Sequence, residues 1–163
     1  SPKVKPKSKI SHLNLLLKTM HNAKIGGETN ISNLLHGLAE SIHKRGLIIL
    51  ISDLLDNEKD VVKGLRHFRY KGHEVIIFHI IDPKEKDLNY SQNINFIDIE
   101  NDNNLMADPR IIKDKYNNAF NSFCKYYEYE CLKNKIDYIP ITTDDSLDKS
   151  LMQYLIKRNQ INY

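Results

Sequence analysis

No run of apolar residues in this chain approaches the ~20 that a helix needs to cross a bilayer, so the sequence predicts no membrane span. A secretory leader pattern is missing as well, and a cytoplasmic protein is the expectation. Cysteine is scarce: Cys124 and Cys131 sit seven apart in a predicted helix. That spacing puts them on one face but roughly 10 Å apart along the axis, too far for a disulfide. They also lack the Cys-x-x-Cys spacing of a zinc or redox site, so reduced, partly buried thiols are expected. Charge of one sign is not in excess either. A net charge of +3 is too small to imply a nucleic-acid partner. The basic residues gather only in residues 1–9, where Lys3, Lys5, Lys7 and Lys9 read as a solvated, flexible start. No glycine-rich phosphate loop is visible. No internal repeat or interior linker breaks the rest, so residues 10–163 are expected to form one domain.

What is present is an alternation of helical and strand patterns. Leu13, Leu16, Leu17 and Met20 repeat at helical spacing. Glycines at 26 and 27 interrupt them, and Thr29 or Asn30 can cap a second helix. That helix carries Ile31, Leu34, Leu35, Leu38 and Ile42 on one stripe, with Gly46 as its stop. The run RGLIILISDLLD at residues 45–56 follows. Its apolar part, 47–51, suits a strand buried on both faces of a parallel sheet. Val61, Val62, Leu65 and Phe68 mark a third helix ending near Gly72, and residues 74–81 a second strand ending on Asp82. Residues 84–107 depart from the pattern and read as a β-hairpin insertion, turning near residues 100–104. Asp108 and Pro109 then open a long helix whose inward stripe is Ile112, Tyr116, Ala119, Phe120, Phe123 and Tyr127. Residues 136–141 form a third strand. A last helix turns Leu147, Leu151, Tyr154 and Leu155 inward.

Strands alternating with helices predict an α/β, Rossmann-like parallel sheet with helices on both faces. All three strands leave the sheet on polar residues: Asp53, Asp82, and Thr142 with Thr143. In open α/β sheets that carboxyl-end rim is where ligands bind. Thr29 and Asp53 are hard oxygen donors from neighbouring loops, which suits Mg²⁺ or Mn²⁺. The plain structural alternative is that both cap helices. His67, His73 and His79 are spaced six apart but need not converge. The tyrosines at 116, 126, 127 and 129 fall on or beside the core stripe and read as packing rather than base stacking.

The stretches GGETNI (26–31), KRGLIILISDLLD (44–56), LRHFRYKGHEVIIFHIIDP (65–83) and IDYIPITTD (136–144) together resemble a von Willebrand factor A-like domain. More narrowly they resemble the bacterial "domain of unknown function 58" proteins. The resemblance runs from about residue 10 onward. It implies a partial von Willebrand A-like fold and a non-catalytic, protein-binding module assisting assembly or maturation beside a MoxR-type AAA+ ATPase. It also implies a metal-ion-dependent adhesion site, in which Thr29 matches the second-loop threonine and Asp53 the third-loop aspartate. The Asp-x-Ser-x-Ser loop of that site has no counterpart here. The resemblance therefore implies a chain lacking the domain's first strands, with an incomplete site that holds no ion, although the complete domain would take Mg²⁺ or Mn²⁺. Thr29, Asp53 and Asp82 become the expected protein-binding rim. The strand at 47–52 would expose an edge open to a homodimer. The competing reading is a hydrolase or phosphotransferase using Asp53, which would need a general base or phosphate loop on the same rim.

Overall fold

The computed structural model describes residues 4, 7, 9–23, 31–86, 94–97 and 104–161. The elements in chain order are α1 (Ile10–His21), α2 (Ile31–Ser41), β1 (Leu47–Ser52), α3 (Glu58–Tyr70) and β2 (Glu74–Ile81). A single turn, α4 (Pro83–Lys86), precedes β3 (Ile94–Ile97) and β4 (Asn104–Ala107). The chain closes with α5 (Pro109–Lys133), β5 (Asp137–Thr142) and α6 (Leu147–Ile161). β1, β2 and β5 form a parallel sheet in the order β1-β2-β5, and β3 pairs antiparallel with β4 in a sheet of its own. This is the predicted α/β, Rossmann-like arrangement with its hairpin insertion. Among the described residues no helix is long and apolar enough to cross a membrane.

The period-2 geometry of strands sorts side chains onto two faces. On the inner face Val75, Ile77 and Ile48 meet Leu35 and Ala39 of α2, Val61, Leu65 and Phe68 of α3, and Tyr127 and Cys131 of α5. Burying each of the valine, leucine, isoleucine and phenylalanine side chains fully stabilises the fold by about 1.5–3 kcal/mol. α2 and α3 approach so closely that a Cβ on Gly64 would stand 2.8 Å from Leu35 Cβ. Asn57 caps α3 by accepting from Asp60 N–H at 3.2 Å, and Gly72 takes φ +82° in the turn into β2, a conformation glycine adopts without strain. On the outer face Ile76, Phe78 and Ile141 pack with Leu151 and Tyr154 of α6.

Several details differ from the sequence reading. β1 is not buried on both faces: Leu47, Ile49 and Ile51 are 46%, 51% and 64% exposed, because α6 covers the β2 and β5 columns of the outer face and leaves β1 bare. α2 ends at Ser41, not near Gly46; Gly46 instead accepts from Glu74 N–H and opens β1. Leu147 and Leu155 are exposed rather than inward; among the described apolar side chains of α6, Leu151 and Tyr154 are the ones that pack on the sheet. Along the predicted stripe of α5 only Tyr127 is fully buried; Ile112, Tyr116, Phe120 and Phe123 are half-buried and Ala119 is exposed. The third strand starts one residue later than expected. The apolar stripe of α1 is present, yet Leu13, Leu17 and Met20 are exposed.

Candidate functional site

Parallel strands deliver their carboxyl ends to one rim. Ser52 pairs with His79, and Ile81 with Thr142. β2 therefore runs two residues past the end of β1, ~7 Å at 3.3 Å per residue. Asp82 stands level with Thr143, and Asp53 is set back beside them.

The loop after β1 is fixed by backbone bonds from several directions. Ser52 Oγ accepts from Leu54 N–H at 3.0 Å, and Asp53 Oδ1 accepts from Leu55 N–H at 3.3 Å. Leu54 takes φ +61°, a left-handed conformation that costs a non-glycine residue roughly 1–2 kcal/mol. Its side chain is fully buried in the inner core, and that burial offsets the strain. Tyr127 hydroxyl donates to Leu54 C=O at 3.4 Å. Asp56 turns the other way: its Oδ2 accepts from Ile31 N–H at 2.8 Å and Ser32 N–H at 3.4 Å. These are the first amides of α2, so a carboxylate from the β1 loop caps the helix that follows Thr29 in sequence. Asp53 is left exposed, with only Ser52 Oγ and Leu55 N–H as described partners.

Beneath the loop lies His79, 1% exposed, on the inner face of β2. Its ring packs against Phe123, Tyr127 and Tyr138. Nε2 lies 3.0 Å from Asp53 C=O and Nδ1 2.6 Å from Tyr138 hydroxyl. A carbonyl can only accept, so Nε2 carries the proton and Nδ1 accepts from the tyrosine. Burial lowers the His79 pKa, opposed by the bond to Asp53 C=O and by the nearby Asp53 carboxylate. Burial also raises the Tyr138 pKa, keeping that hydroxyl protonated as a donor. The chain Tyr138–His79–Asp53 thus links β5, β2 and the β1 loop.

The predicted rim residues fare unequally. Asp53 is where the sequence placed it, on an exposed strand end. Asp82 is exposed too, and its Oδ1 caps the α4 turn through Lys84 N–H at 2.8 Å. Thr29 lies outside the described residues. Thr142 Oγ1 is hydrogen-bonded to Asp145. A family model described as "protein of unknown function DUF58" matches residues 2–123. The chain belongs to this family. No curated protein and no solved structure matches it. The matched span of the DUF58 domain includes Asp53, Asp56, His79 and Asp82, and stops before β5.

The adhesion-site resemblance implies a divalent ion. Mg²⁺ demands a near-octahedral shell of oxygens and sheds water reluctantly. Among the described residues no group of three His, Cys, Asp or Glu side chains gathers. Of the two strand-end acids, Asp82 caps the α4 turn while Asp53 caps no described helix, and Ser52 Oγ already accepts from Leu54 N–H. The described rim donors, Asp53 and Ser52, are too few to make up that shell by themselves, and Thr29 lies outside the described residues. The three histidines also stay apart in their bonding. His73 Nδ1 accepts from Gly46 N–H, His67 lies beside the His36 ring, and His79 serves the rim loop. Sequence reasoning missed the roles of Asp56, His79 and Tyr138. A histidine at an inward position of an apolar strand, facing a tyrosine on the neighbouring strand, is the signal that could have found the last two.

Proposed function

We propose that this DUF58 domain is a non-catalytic, protein-binding module of von Willebrand A type whose contact surface is the rim of Thr29, Asp53 and Asp82. The observation that carries it is the pairing of an exposed Asp53 carboxylate with a loop backbone tied down by His79, Tyr127 and Asp56. A carboxylate held in one place binds a cationic group without first losing loop entropy. A divalent ion would enter only where further oxygen donors complete the shell. The family resemblance supplies the partner, a MoxR-type AAA+ ATPase. The test is binding of the purified ATPase to immobilised wild type, Asp53→Ala and Asp82→Ala, with and without Mn²⁺. A loss of about tenfold or more for Asp53→Ala at unchanged melting temperature is expected. Equal binding by all three proteins, or none by the wild type, overturns the reading.

We also propose that β1 pairs with β1 of a second copy. Glu74 N–H bonds Gly46 C=O, and by strand parity the backbone groups of Leu47, Ile49 and Ile51 point away from β2. No described strand pairs with that edge, and the same three side chains are exposed. Open apolar edges of this kind favour edge-to-edge association. Sedimentation should show a concentration-dependent dimer that Ile49→Lys abolishes; a wild type monomeric at high concentration refutes it.

A further inference from the structure

The opposite edge of the sheet is built differently. β5 has β2 on one side and no described strand on the other. Its free edge forms the floor of a groove of ≈ 780 Å³ between α5 and α6. Cys124, Glu128 and Leu132 stand on the α5 wall, and Ser150, Tyr154 and Arg158 on the α6 wall.

Strand parity identifies what the floor presents. Thr143 N–H donates to Ile81 C=O, so the odd-numbered residues of β5 bond to β2 and the even-numbered ones point outward. Tyr138 therefore offers both its N–H and its C=O to the groove. Pro140 offers a C=O alone, and its missing N–H falls where no sheet bond is lost. The N–H of Thr142 lies just past the groove. Backbone donors and acceptors at the two-residue interval of a strand are complementary to one kind of ligand, another extended backbone.

The walls decide which one. β1 is an open edge that a second copy can meet with its own sheet. β5 is recessed between two helices lying on opposite faces of the sheet, and a neighbouring sheet carrying its own helices cannot enter. Only a single strand without a packed layer fits. The ionised groups lining the groove are mixed in sign, with Arg69, Lys125 and Lys135 against Glu74, Glu128 and Asp137. Arg158 and Glu74 already pair with each other. Between them lie Ile136, Ile139 and Tyr138. Such walls favour alternate apolar side chains over a run of one charge.

We propose that the β5 groove binds a short extended, largely apolar peptide segment of a partner protein, which adds to the sheet as a fourth strand beside β5. About five or six residues would span the floor at ~3.3 Å per residue. Neither Asp53 nor Asp82 lines the groove, so this proposal and the rim reading can fail separately.

The experiment pans a phage-displayed library of random 12-residue peptides against the protein, then measures synthetic versions of the enriched sequences by fluorescence polarisation. Ser150→Trp fills the groove from its α6 wall and should weaken binding by about tenfold or more. N-methylation of alternate peptide residues should do the same for one parity and change the other by less than about twofold, because a strand points every second N–H at its neighbour. Bound peptide should slow hydrogen exchange at the Tyr138 amide. Failure to enrich any sequence overturns the proposal. So does binding indifferent to the parity of methylation, which does not depend on how Ser150→Trp folds.

Discussion

Replacing Tyr138 by Phe removes one oxygen atom and tests the link between the sheet and the rim. In the native fold that hydroxyl donates to His79 Nδ1 at 2.6 Å, and His79 is 1% exposed. Without it a buried acceptor loses its partner, which costs about 1–3 kcal/mol. For a chain of this size each kcal/mol moves the melting temperature by about 2–4 °C, so a fall of roughly 5 °C is expected by calorimetry. A double-mutant cycle with His79→Leu separates this bond from general loss of packing. Once Nδ1 is gone, the missing hydroxyl leaves nothing unsatisfied, and the two changes should be sub-additive by about 1 kcal/mol or more. The same residue predicts a pH dependence. His79 is held neutral by burial, below the ordinary 6.5, while the unfolded imidazole titrates normally. The unfolded state therefore binds more protons below pH 6.5, and the stability His79 contributes is full above that value and lost as pH falls toward its lowered native pKa. Urea titrations at pH 7.5 and 5.5 should show a smaller pH difference for His79→Leu than for wild type. A Tyr138→Phe protein within about 0.5 kcal/mol of wild type, or strict additivity in the cycle, would refute the argument.

Three further outcomes follow from single contacts. Asp56→Ala uncaps α2 and should cost about 0.5–2 kcal/mol, with faster hydrogen exchange at Ile31 and Ser32. Gly64→Ala gains helix propensity of up to ~1 kcal/mol but drives a Cβ to 2.8 Å from Leu35 Cβ. It should still destabilise by about 1–3 kcal/mol, and a variant as stable as wild type in urea would show that α2 can move aside. Lys135, exposed at φ +56° just past α5, occupies a position where glycine is favoured. Lys135→Gly should raise stability by about 0.5–1 kcal/mol, read as a higher melting temperature.

The strands were the most legible part of the sequence. β1 and β2 have the predicted bounds because short apolar runs ended by polar residues leave few alternatives. α3 was equally clear: Val61, Val62, Leu65 and Phe68 are all buried, and Asp108 and Pro109 open α5 as expected. Periodicity states which residues share a face, and not which face finds a partner. That is why the stripe of α1 was found while its exposure was not, and why Leu155 was placed inward although α6 reaches the sheet through Leu151 and Tyr154. The site was legible only as chemistry at strand ends. Asp53 and Asp82 stand on the rim, but the bonds that shape the rim join residues distant in sequence, such as Asp56 to Ile31 and His79 to Asp53. No local pattern encodes pairings of that range. The predicted cap, Thr29 or Asn30, lies outside the described residues, and the cap that is described comes from Asp56, on the loop after β1.

In the loop after β1, one residue sets the shape and its neighbour makes the display. Leu54 is driven into the core in a strained conformation, while Asp53 projects beside it. If the rim binds as proposed, folding and recognition depend on different positions of this loop. Residues 53 and 55 can be exchanged at little cost to stability, so long as Leu54, His79 and Tyr127 remain. The loop is a natural place to randomise when a new specificity is sought on this scaffold.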